Sequence, residues 1–191
     1  VGPAQGNNYL RVYRSAPVEP YSTFSTYALF TPQSTPGDRI RFETMVAAQP
    51  DFNSNNGVIQ IMDSANGATG VGFNTLLFRS NSVLRNNSTT ITDIPYVKGE
   101  WMHVVMEYTL GESNYDLIVN GVAYNDLGLN AAVTTPPTDV VGIRLGAAAP
   151  NVNGALYFDA APTLPSLTIN RTTGEVILRN AGAQAINYII G

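Results

Sequence analysis

Cysteine is absent from this 191-residue chain, so it has neither disulfide bridges nor thiolate metal ligands, and its stability has to come from core packing. Charge is scarce as well. Only 13% of residues are Asp, Glu, Lys or Arg, against about 25% in an ordinary soluble domain. The ten Lys and Arg are scattered and the formal net charge is −4, which leaves no basic stripe to neutralise a phosphate backbone and excludes nucleic acid as an expected partner. No apolar run approaches the roughly 18 residues of a membrane-spanning helix, so membrane insertion is not expected. A single histidine, His103, rules out a zinc site built from several imidazoles. Helical periodicity is also almost missing.

What the chain does have is Asn, Thr, Ser and Gly. Thr packs well on a pleated surface, while Asn and Gly accept the backbone angles of tight turns. Short alternating runs bounded by Gly, Pro, Asn and Asp recur along the chain, the pattern of an all-β, two-sheet antiparallel sandwich. In the segment Asp38-Arg-Ile-Arg-Phe-Glu-Thr-Met-Val46, Ile40, Phe42 and Thr44 fall on one face and Arg39, Arg41 and Glu43 on the other. Further strands are expected at 9–13, 26–30, 58–62, 70–79, 82–85, 98–108, 115–119, 122–124, 140–145 and 155–159, the last returning beside the first to close the sandwich. Asn120-Gly121 between alternating runs signals a two-residue hairpin, because a type I′ turn needs positive φ at both central residues.

Pro162 and Pro165 mark a linker. The expected domains are therefore a sandwich over residues 1–164 and a C-terminal β appendage over 165–191, with strands at 167–170, 175–179 and 185–190. The appendage is too small to fold alone. It reads either as a truncated module or as strands that pair with another subunit.

Three stretches, Gly99-Glu-Trp-Met-His-Val-Val105, Tyr115-Asp-Leu-Ile-Val-Asn-Gly121 and Ala155-Leu-Tyr-Phe-Asp159, resemble the laminin-G/concanavalin-A-like jelly-roll superfamily over about residues 7–160. The resemblance implies two curved antiparallel sheets. Its motifs are structural, since the Trp packs and the Asn-Gly turns, so it speaks to fold more than to function. Glycoside hydrolases of the superfamily carry a Glu-x-Asp-x-x-Glu strand, and no such run exists here. Alginate-lyase-like members resemble this chain in an Arg-rich strand, here Arg39-Ile-Arg41, followed by a Gln-Ile-His strand, here Gln60-Ile61-Met62. Met62 stands where the base would be, and a thioether cannot take a proton. The chain is therefore expected not to be an enzyme, with a degenerate polysaccharide lyase as an alternative.

Candidate glycan-binding residues are Arg41, Gln60, His103 and Glu107, read as meeting on one concave sheet, where an imidazole would act as base or sugar hydrogen-bond donor. No cofactor is expected. Calcium is the ion that would fit, through oxygen-rich turns holding Asp51, Asn53 and Asp63. The sequons at Asn86, Asn87 and Asn170 are glycosylation candidates in expected loops. Trp101, Tyr108 and Tyr157 sit in strand patterns that argue for packing.

The start at Val1 rather than Met implies processing or excision from a longer precursor, and the composition suits an extracellular or cell-surface location. The function expected is a non-catalytic extracellular glycan-binding or adhesion module, with a polysaccharide or cell-surface glycan as partner. The alternative is a structural subunit of a self-assembling fibre or matrix, in which the C-terminal strands bind copies of the chain itself.

Overall fold

The structure, a computed structural model, describes residues 10–12, 24–53, 57–65, 72–86, 93–147, 154–159, 166–169 and 176–179. All the regular structure among them is β. It divides into two compact units, residues 1–160 and 161–191, each taken by itself below.

The first unit is a two-sheet antiparallel jelly-roll sandwich. One six-stranded sheet runs β1 (Leu10–Val12), β12 (Leu156–Asp159), β3 (Arg39–Ala48), β8 (Met102–Thr109), β9 (Asn114–Val119), β10 (Val122–Gly128). The other runs β2 (Phe24–Gln33), β11 (Val140–Ala147), β4 (Gly57–Met62), β5 (Asn74–Arg79), β6 (Val83–Asn86), β7 (Asp93–Pro95). The closing strand behaves as its sequence suggests, with Leu156, Tyr157 and Phe158 opposite Val12, Arg11 and Leu10. β7 is the one strand of this unit with no counterpart in the sequence pattern, because three residues are too few to show alternation.

Side-chain alternation does the sorting. Along β8, Val104, Met106 and Tyr108 point into the sandwich with Phe42 and Ile40 of β3 and Leu117 and Tyr115 of β9, while His103, Val105 and Glu107 face outward. From the other sheet Ile59 and Ile61 of β4, with Leu76 and Phe78 of β5, complete the same core. The Phe73 and Tyr108 rings meet 4.7 Å apart, and Phe78 meets Tyr96 edge-on at 5.6 Å. Burial pushes the Tyr108 phenol up to about 12 and raises Tyr115 as well. The hairpin between β9 and β10 has Asn120 at φ 50° and Gly121 at φ 82°, as a type I′ turn requires. The Asn120 side chain also accepts the His103 N–H at 2.8 Å, tying the turn to β8.

Among the described residues three side chains break the pattern of satisfied polarity: Gln49 Oε1 and the Tyr115 hydroxyl have no hydrogen-bond partner, and neither has either end of the Asn74 carboxamide, which is 0% exposed, an arrangement that costs stability.

The second unit contains β13 (Ser166–Ile169) and β14 (Val176–Arg179), an antiparallel pair with Leu167 opposite Leu178 and Ile169 opposite Val176. The third strand expected at 185–190 lies outside the described residues.

Candidate functional site

On the outer face of the first sheet, the alternating positions of β3 and β8 bring five charged or titratable side chains into a ladder. Arg41 lies opposite Glu107, and Arg39 opposite Thr109. The Glu107 carboxylate takes the guanidinium of Arg41 at 2.6 Å on one oxygen and that of Arg39 on the other. Arg41 Nε then donates to Glu43 Oε2 at 2.9 Å, and Glu43 Oε1 lies 2.7 Å from His103 Nε2. The order is Arg39, Glu107, Arg41, Glu43, His103, so every acid sits between two donors. Side-chain exposure falls from 60% for Arg39 to 13% for Glu107, which makes Glu107 the hub of the ladder.

This arrangement shifts the titration of Glu43 and Arg41. Burial works against ionising Glu43, but hydrogen bonds from Arg41 and His103, helped by their charges, hold its carboxyl below the usual range. The same contacts raise Arg41, through Glu107 first and Glu43 second. Glu43 is consequently a fixed anion and acceptor, which is the wrong state for a general acid at neutral pH.

Aromatic residues lie further along the same face. Tyr157 of β12, Ala47 of β3, Ala155 and Trp101 form a small apolar cluster separate from the main core, and the Arg11 guanidinium stands 5.7 Å over the Tyr157 ring. The packing expected of Trp101 and Tyr157 is therefore on the outside of the sheet rather than inside the sandwich. Tyr157 is covered at 7% exposed, whereas Trp101 is half-buried and helps line a cleft of about 110 Å³ with Tyr96, Val97, Val119 and Asn120. Trp101 and Glu107 are six positions apart along the strand, a separation of about 20 Å.

Gln60 does not join this ladder. It sits on β4, in the other sheet, because the chain crosses from one layer to the other between β3 and β4, and sequence order alone does not show where the chain crosses. There it lies on the outer face, 5% exposed, within a network of amides and hydroxyls. Arg144 Nη1 donates to Gln60 Oε1 at 3.0 Å, and Gln60 Nε2 donates to Thr75 Oγ1 at 3.0 Å. Thr75 donates to the Gly72 carbonyl at 3.1 Å, and Asn130 Nδ2 bonds both Thr75 Oγ1 and Gly72 O. Gly72 presses against this network so closely that a Cβ there would come within 2.7 Å of Gln60 Cβ and of the Ile61 carbonyl. Met62, read as the residue in the lyase base position, is 0% exposed on the same strand.

The remaining sequence candidates scatter. Asp51 and Asn53 are exposed, with Gln49 Nε2 donating to Asp51 Oδ1 at 2.7 Å, while Asp63 is buried just beyond β4. Among the described residues no group of three His, Cys, Asp or Glu side chains is placed to hold a metal ion. Asn86 was expected in a loop and is found on β6, opposite Leu76 and 1% exposed, where an amide cannot take a glycan without leaving the sheet. Asn87 and Asn170 lie outside the described residues. The residues missing from the candidate set were Arg39, Glu43, Thr75, Asn130 and Arg144. The signal for Arg39 and Glu43 was present, since they alternate with Arg41 on one strand face. No local signal marks Thr75, Asn130 and Arg144, which meet only through tertiary folding.

No protein-family model matches this chain, and no curated protein does. Solved structures do. A sialidase aligns with 83% of this chain and 16% of its own length at 16% identity, with a TM-score of 0.50, in keeping with the sandwich fold. The galectin LEC-6 of Caenorhabditis elegans aligns with 78% of this chain and 95% of its own at 12% identity and a TM-score of 0.46. The alginate lyase Aly36B gives 81%, 80%, 12% and 0.48 for the same quantities. The chain spans about a fifth of the length of a Trypanosoma rangeli sialidase that it also matches, 19% of that chain.

Proposed function

We propose that this chain is a non-catalytic, exported glycan-binding module and that the outer face of its first sheet is the binding surface. The ladder carries the reading. Sugars are recognised by planar polar groups held in fixed positions, with an aromatic plane to cover a ring face. Arg39, Arg41, Glu43, His103 and Glu107 fix one another through the contacts described above, so little ordering entropy is lost when a ligand arrives. Trp101, just before the start of β8, supplies the aromatic plane, and its distance from Glu107 suits a chain of several sugars rather than one.

The absence of catalysis is argued from the same groups. Glu43, the carboxylate beside the sole imidazole, is held ionised and so is not poised as a general acid at neutral pH. Gln60 and Arg41, which a lyase-like pattern would use together, belong to different sheets.

A polysaccharide panel screened by affinity electrophoresis tests the reading. Trp101→Ala and Arg41→Ala should each weaken retardation at least tenfold, while Arg85→Ala, on the other sheet, should leave it unchanged. No retardation by any polysaccharide, or retardation indifferent to the two ladder-face variants, would sink it. An ultraviolet assay showing unsaturated uronate product would sink the non-catalytic part separately.

A further inference from the structure

Two open sheets have four edges, and three of them are blunted. Among the described residues β1 carries Arg11, and β7 carries Asp93 and Pro95, so each brings a charge to its edge and β7 lacks an N–H as well. β10 is longer, but its register against β9 shifts between Tyr124 and Leu127, with Asp126 at φ 57° inside the shift. A bulge carrying a charge turns an edge away from would-be partners.

β2 is built differently. Among the described residues it is the outermost strand of its sheet, paired to β11 on one side only. Its ten residues, Phe-Ser-Thr-Tyr-Ala-Leu-Phe-Thr-Pro-Gln, include no Asp, Glu, Lys or Arg. Residues 24–29 keep unbroken register with β11, from Phe24 opposite Ala147 to Leu29 opposite Gly142, and the register shift and Pro32 come only after them. Six consecutive residues thus present an outer row of backbone donors and acceptors with no charge, proline or glycine. That is the composition of segments that add to a further strand.

We propose that residues 24–29 are a self-association edge, at which a second copy of this chain adds its own β2 antiparallel and extends the sheet across a two-fold axis. Two copies with a net charge of −4 repel on average, so contact is favoured where neither brings a charge. Antiparallel pairing is also the arrangement a strand edge makes with its own copy under a two-fold rotation. Among the described strands of the first unit, the edges left over are the blunted ones, so that unit offers no second seam of this kind. The dimer leaves the ladder face on the other sheet uncovered, and so holds two such faces in one particle, whatever they bind.

Sedimentation velocity of the full chain over rising concentration, beside Ser25→Lys, tests this. Ser25 lies opposite Gly146 in the register, and a lysine there places charge on the proposed seam. The parent chain should show a monomer–dimer equilibrium and the variant at least a tenfold weaker one. Amide hydrogen exchange on the parent chain is the second measurement: exchange at 24–29 should slow as the dimer fraction rises, and it decides alone if the variant fails to fold. A parent chain that stays monomeric, open-ended polymers, or protection that develops elsewhere, residues 161–191 included, would each overturn the proposal.

Discussion

On the outer face of the first sheet the polar groups are charged, partly exposed and paired by ion contacts between strands, as in Arg39, Glu107 and Arg41. The outer face of the second sheet carries Gln60 and Thr75, which with Asn130 are buried and joined by hydrogen bonds of 3.0 to 3.2 Å among themselves, with Arg144 donating to Gln60 at one end. The difference is one of access to solvent. Charges that solvent still reaches contribute little to stability and remain available to a ligand, whereas amides cut off from water are costly to disturb because any partner lost stays lost. The first face is open to solvent and the second is closed to it.

The comparison is sharpest where a methyl group is added to the closed face. Gly72→Ala should destabilise the sandwich by about 3 kcal/mol, since the new Cβ would press on the backbone carbonyl of Ile61, which cannot swing aside. Chemical denaturation reads this directly. Thr75→Val keeps the shape but strips the acceptor of Gln60 Nε2 and one acceptor of Asn130 Nδ2, at a cost of about 2 kcal/mol. That cost should be the same in low and high salt.

The open face should answer differently. Glu107→Gln ought to cost about 1 kcal/mol at low ionic strength and next to nothing in molar salt, because the pairs it breaks are solvent-exposed on the arginine side. A cost that survives high salt would show this face to be as closed as the other. In the interior, Asn74→Leu removes an amide that has no partner, so thermal melting should place the variant between neutral and about 1 kcal/mol more stable.

The smallest expected effect is with pH. The Glu43 carboxyl has a folded pKa below its usual 4.5, so its contribution is present above that value and is lost as pH falls through the folded one. Melting temperature should therefore decline on acidification below about 4.5, and Glu43→Gln should flatten that decline. An unchanged acid limb in the variant would mean that other carboxylates set it.

Much of the architecture is legible in the chain because it depends on local rules. Asn120-Gly121 demands its turn from the two residues alone, and the alternation of Arg39, Ile40, Arg41, Phe42 and Glu43 assigns a dry and a wet face before any partner strand is known. The adjacency of Arg41, His103 and Glu107 was also within reach, since both strands alternate cleanly and long antiparallel strands favour each other. Gln60 shows where this ends. Its strand is as readable as β3, yet nothing in its residues says to which sheet it belongs, and the error moved a candidate ligand group to the opposite side of the molecule.

By itself, then, the sequence determined strand identity, face and turn, because each follows from the φ, ψ and side-chain alternation of a few neighbouring residues. Tertiary structure alone decided which strands became neighbours. That choice joined Glu43 to His103 and Gln60 to Arg144, buried Asn86, put Trp101 on an outer face and left β2 outermost, for pairing across a sandwich is settled by the packing of the whole core and not by any single strand.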